Sequence, residues 1–130
     1  MRLLLETDEL TLVNEFETVH LIEKSTGRIL LEDWFYGDPD CGLIDPMNRW
    51  AIIGGDHLTI WTPQKTKKFE PEQIRWIHAL RIKSAECVEI LTDPCSEETS
   101  IWEIHTGTFM LEKVRDFDPE KESDWPGNDD

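Results

Sequence analysis

Apolar residues along this chain come in short runs, and residues that favour turns break them at close intervals. The run at 10–13 is closed by Asn14, and 16–22 alternates loosely between apolar and polar positions. Lys24-Ser25-Thr26-Gly27 then reads as a turn, with Gly27 supplying a positive φ, and 28–35 returns to complete a first hairpin. Residues 36–40 form a loop, because Gly37 and Pro39 disfavour both helix and ladder. A strand at 41–44 is closed by Asp45-Pro46-Met47-Asn48, and a second at 50–53 ends on Gly54-Gly55. The run 57–61 comes next, with Leu58 and Ile60 on one face and His57, Thr59 and Trp61 on the other.

Residues 63–71 read as a polar, lysine-bearing loop. The segment 73–83 fits two periods. With period two, Trp76, His78, Leu80 and Ile82 share a face; as a helix, Pro71 would occupy the first turn, with Ile74, Ile77 and Arg81 along one side. The residues downstream decide for strand: 87–91 is β-type, Thr92-Asp93-Pro94 turns, 100–105 alternates, Thr106-Gly107 sits at a hairpin position and 108–114 returns. Eight to ten short strands joined by connections too short for parallel crossovers predict an all-β fold, a single antiparallel meander over residues 1–115. Sandwich, barrel and propeller-like sheet all satisfy that pattern. Residues 116–130 read as an acidic tail in which only Phe117 and Trp125 are suited to dock on the body.

Charge changes the picture more than composition does. Thirteen Lys and Arg stand against 28 Asp and Glu in 130 residues, a formal net charge of −15. Residues 1–60 carry 12 acids and 4 bases, 61–115 carry 9 and 8, and 116–130 carry 7 and 1. A chain this acidic repels the polyanion that a nucleic-acid binder must neutralise. It attracts a cationic partner and speeds their encounter. No apolar stretch approaches the roughly 20 residues of a membrane span. The start, Met1-Arg2-Leu3-Leu4-Leu5-Glu6, has neither the apolar length nor the cleavage site of a leader, which predicts a cytoplasmic protein. Cys41, Cys87 and Cys95 match no zinc spacing and read as buried thiols of a reducing compartment.

Candidate chemistry is sparse. Asp38, Asp40 and Asp45 surround Cys41-Gly42, but the register fails for a calcium loop, and the carboxylates are better suited to accept loop N–H groups. His20, His57, His78 and His105 fall in predicted strands without the spacing that puts two on one face, although His78 and His105 are placed to converge across strands. Asp56 and His57, as strand neighbours, are expected to point to opposite faces. Gly54-Gly55 ends a strand and opens no helix, unlike a phosphate loop. No nucleophile elbow is present. The reading is therefore of no catalytic residues, no metal and no cofactor. Six tryptophans beside one tyrosine favour a core with aromatic anchors at its rim, and Trp34, Tyr36 and Trp61 flank the acidic loop.

The stretches Asp33-Trp34-Phe35-Tyr36-Gly37-Asp38-Pro39, Cys41-Gly42-Leu43-Ile44-Asp45 and Trp50-Ala51-Ile52-Ile53-Gly54-Gly55 resemble small acidic bacterial immunity proteins that accompany polymorphic or contact-dependent toxins. The resemblance implies a non-enzymatic inhibitor of one cognate toxin domain. The expected binding residues are Trp34, Tyr36, Asp38, Asp40, Asp45 and Trp61, facing a cationic partner. Two rival expectations stand beside it. One is a small hydrolase or metal-dependent enzyme using Asp38, Asp40 or Asp45 with His57; the other is a scaffold module joined through strand edges.

Overall fold

A computed structural model describes residues 2–37, 39, 41–74, 76–92 and 99–117, and every regular element among them is a strand. The strands are β1 (Arg2–Glu6), β2 (Leu10–Glu15), β3 (Thr18–Glu23), β4 (Ile29–Trp34), β5 (Cys41–Ile44), β6 (Ala51–Gly54), β7 (Leu58–Trp61), β8 (Thr66–Phe69), β9 (Ile77–Ser84), β10 (Cys87–Thr92), β11 (Ser100–His105) and β12 (Leu111–Asp116). They pair antiparallel in chain order as three sheets of four: β1–β4, β5–β8 and β9–β12. The fold is all-β as the sequence predicts, but the single meander is in fact three.

The division follows from burial. In the middle sheet every residue of β6 and β7 is buried, so both faces need a partner layer. Ala51, Ile53 and Trp61 pack against Leu10, Leu12, Val19, Leu21 and Phe35 of the first sheet and its exit. Ile52, Leu58, Ile60 and Phe69 pack on the opposite face against Ile77, Val88, Ile90 and Ile104 of the third. Each of these fully buried aliphatic side chains contributes about 1.5–3 kcal/mol by area. The first strand of the middle sheet, β5, touches both β1 and β9. Four-stranded meanders stacked with their first strands together are the arrangement of propeller blades.

Two glycines fix the closeness of the layers. A Cβ on Gly54 would overlap the Ile77 side chain, and one on Gly55 would stand 2.9 Å from the Phe35 ring. Gly54-Gly55 is thus a packing point where three segments meet.

The structure corrects several boundaries. Residues 2–6, read only as the absence of a leader, form β1, and the polar stretch 63–71 contains β8, an edge strand with Phe69 inward and Thr66, Lys67 and Lys68 in solvent. Phe16 lies in the β2–β3 turn, and 73–74 belong to the turn before β9, which begins at Ile77. β12 runs one residue into the segment read as tail. Phe117 packs beside Ala79, Leu91 and Ile101 on the outer face of the third sheet. Trp125, Cys95 and the rest of the tail lie outside the described residues.

Candidate functional site

Strands that alternate in direction place alternate connections at the same end of their sheets. The turn at 16–17, the connection from Phe35 into β5, the turn at 55–57 and the connection from Glu70 to Trp76 therefore share one end. Contacts tie them together. Phe35 N–H donates to Glu17 O at 2.8 Å and Gly37 N–H to Glu17 Oε2 at 2.5 Å. Tyr36 N–H donates to Asp56 Oδ1 at 3.2 Å, and Ile77 N–H to Gly55 O at 2.9 Å.

Among the described residues, this end carries the exposed aromatic side chains: Phe16 is 83% exposed, Tyr36 73%, Trp34 56% and Trp76 50%. In sequence its connections through residue 76 hold Glu17, Asp56, Glu70 and Glu72, besides Asp38 and Asp40, against one base, Arg75. At the opposite end Asp8, Glu9, Asp45 and Glu86 are matched by Lys24, Arg28, Arg49 and Lys65. The charge asymmetry is thus between the two ends of the sheets.

Beneath Trp34 and Tyr36 lies a buried polar cluster centred on His57, which is 2% exposed. Its Nε2 is 2.9 Å from Asp33 Oδ2 and its Nδ1 is 3.1 Å from Asp56 Oδ1. The Phe35 ring stacks on the imidazole at 4.1 Å and 11°. Thr59 Oγ1 donates to Asp33 Oδ2 at 2.5 Å, Trp34 N–H donates to Asp33 Oδ1 at 2.9 Å, and Lys68 Nζ lies 3.7 Å from Asp33 Oδ1. Burial acts to raise the Asp33 carboxyl, but the bonds from His57, Thr59 and the Trp34 amide outweigh it and hold that group below the usual carboxylate range. Asp33, Phe35 and the Tyr36 amide are therefore held from below by the β6–β7 turn, with Trp34 bonded between them to Asp33. The expectation that Asp56 and His57 point apart fails because His57 precedes β7, where strand alternation does not yet apply.

The expected binding residues separate. Trp34 and Tyr36 share the aromatic end, whereas Asp38 and Asp40 lie outside the described residues. Asp45 and Trp61 sit at the far end of β5 and β7, and burial removes both from an exposed surface, at 3% and 7% exposed. Asp45 accepts from the N–H groups of Met47 at 3.2 Å and Arg49 at 3.1 Å, and from Arg49 Nε at 2.6 Å. It closes the β5–β6 loop, as a turn-forming aspartate does. Burial would raise its carboxyl, but Arg49 and the two amides hold it below the ordinary range. Trp61 packs in the core between the first two sheets and lines a hollow of about 520 Å³ with Asp8, Glu9, Glu23 and Arg28.

The pairing of Asp45 with His57 that an enzyme reading requires is not made, since the two lie at opposite ends of the middle sheet. His78, near the start of β9, and His105, at the end of β11, are likewise at opposite ends and do not converge. His105 Nδ1 accepts the N–H groups of Gly107 and Thr108, and His20 faces Glu32 at 2.7 Å. Among the described residues no group of three His, Cys, Asp or Glu side chains is placed to hold a metal ion. The Cys87 thiol is pushed up by burial and by Glu103, away from the thiolate a nucleophile needs. No described helix is long and apolar enough to cross a membrane.

No protein-family model matches the chain, and no curated protein matches it. Among solved structures, a chain of Kuenenia stuttgartiensis hydrazine synthase resembles it with a TM-score of 0.54 and 16% identity. The match covers 82% of this chain and 32% of that one. At that identity the likeness is one of fold, and this chain spans about a third of the length of its neighbour.

Proposed function

We propose that this chain is a non-enzymatic protein-binding module that meets a cationic protein partner with the aromatic, acidic end of its sheets. The observation that supports it is the placement of Trp34 and Tyr36, both exposed, on a segment anchored from below, beside connections in which acids outnumber the single base that the sequence puts there, Arg75. Aromatic anchors within charge are the usual composition of a recognition surface. A pre-anchored segment loses less freedom on binding than a loose loop. The resemblance to immunity-type proteins supplies the partner class: a toxin domain with a basic substrate cleft, whose phosphate-binding positions carboxylates would fill. Net charge speeds the encounter and a few anchors hold the complex.

Co-expression with the product of the adjacent gene tests the reading. A complex is expected at low salt, weakening as salt rises, with Trp34→Ala and Tyr36→Ala each costing about 1–2 kcal/mol of binding. Absence of a complex at low salt, or one that tightens with added salt, overturns it.

A further inference from the structure

Four described residues other than glycine have positive φ: Phe16 at 56°, Asn48 at 62°, Trp76 at 55° and Phe109 at 65°. Two have an evident return within the fold. Asn48 belongs to a type that tolerates this conformation, and its amide donates to Asp8 and Glu9 at 3.1 Å. Phe109 is buried in the core between the second and third sheets. At Phe16 the return is to the backbone alone, whose carbonyl accepts from the buried Asn14 Nδ2 at 2.9 Å; the exposed side chains of Phe16 and Trp76 gain no burial like that of Phe109. Phe16 occupies a two-residue hairpin turn, where glycine or asparagine is the usual choice, and holds a phenyl ring almost wholly in solvent. Trp76 leaves half its surface exposed immediately before β9. Both lie at the end that carries Trp34 and Tyr36.

We infer that Phe16 and Trp76 belong to the same contact surface as Trp34 and Tyr36, extending it from the first sheet to the third, and that its complement is an arginine-bearing protein face. This rests on the binding reading above and specifies its partner. Flat aromatic faces interspersed with Glu17, Asp56, Glu70 and Glu72 suit the guanidinium group, which stacks on rings and bonds carboxylates through a planar fork. The ammonium of lysine also sits over rings, as Lys65 does over Phe109 at 4.7 Å, but it has neither the plane to stack nor the fork to bond a carboxylate twice, so it gains less from the same surface. Backbone strain at two exposed aromatic positions is the signature of side chains held for contact at a cost to the free fold.

The test uses nona-arginine and nona-lysine peptides of equal charge, titrated against the full chain at low ionic strength and read by tryptophan fluorescence. Wild type should bind nona-arginine more tightly. Phe16→Gly leaves net charge unchanged and should raise the urea midpoint of unfolding. It should weaken nona-arginine binding about fivefold, the loss of one cation–π contact, and weaken nona-lysine binding by a smaller factor. Phe16→Asn should behave alike, and Trp76→Gly should weaken nona-arginine selectively. Equal affinity of wild type for the two peptides, or Phe16→Gly and Trp76→Gly proteins that bind nona-arginine as wild type does, would overturn the inference while leaving an acidic binding surface in place. A lower urea midpoint for Phe16→Gly would overturn the strain on which it stands. Failure of wild type to bind either peptide would remove the underlying reading as well.

Discussion

Asp33 shows how one carboxylate organises a segment. Its two oxygens accept from His57, Thr59 and the amide of Trp34, and Lys68 approaches from β8. Removing the charge in Asp33→Asn should cost about 2 kcal/mol, the scale of a hydrogen bond to a charged partner, read as a lower urea midpoint. The Tyr36 amide should then exchange faster with solvent, because His57 and Asp56 lose their common anchor. The carboxyls of Asp33, Asp45 and Glu103 are all held below their ordinary values, Glu103 chiefly by Lys83. Groups lowered by folding add stability that is fully present above the unfolded carboxylate range, near pH 4. That stability is lost as pH falls through the lower folded values. Thermal melts should therefore be flat from about pH 7 to 5 and fall steeply below about pH 4, the fall being smaller in Asp33→Asn. At this scale the sequence reveals Trp34 and Tyr36, because Gly37 and Pro39 mark their neighbourhood as a loop. It hides Phe16 and Trp76, whose apolar character reads as strand, since no glycine announces the positive φ. Asp56–His57 is hidden for a related reason: the pair stands just outside the strand whose alternation would separate it.

At the scale of elements, close approach between β6 and β9 requires Gly54. In Gly54→Ala the added methyl meets the Ile77 side chain and the Cys41 sulfur. Overpacking of this kind costs about 1–3 kcal/mol, and a thermal melt should show it as a drop of several degrees; an unchanged melt would mean that the second and third sheets leave room for a methyl group. Strands whose residues face a core are legible: β5, β6, β7, β10 and β11 all follow from apolar runs with turn residues at their ends. β8 is not legible, because an edge strand that presents Thr66, Lys67 and Lys68 to solvent has the composition of a loop. Such charge also discourages a second chain from pairing with the edge. β1 is hidden because three consecutive leucines have no strand period, and its ladder with β2 carries an irregularity between Leu3 and Leu5.

At the scale of the whole molecule, the sequence supports local antiparallel pairing but does not mark where one sheet ends and the next begins. The boundaries fall at the connections after Trp34 and after Phe69, which hold Pro39 and Pro71, and nothing in their composition distinguishes them from turns within a sheet. The summed charge is equally silent about direction, since acids from distant parts of the chain gather at one end only after three sheets have stacked. That gathering is the central claim, and mapping a bound cation on the isotopically labelled protein tests it most directly. Backbone amide shifts during titration with an arginine-rich peptide should concentrate at 15–18, 34–37, 54–57 and 70–77 and vanish in high salt as screening shortens to a few ångströms. Shifts centred on the opposite end, around Asp8, Glu9, Glu23 and Trp61, or spread evenly over the molecule, would contradict it.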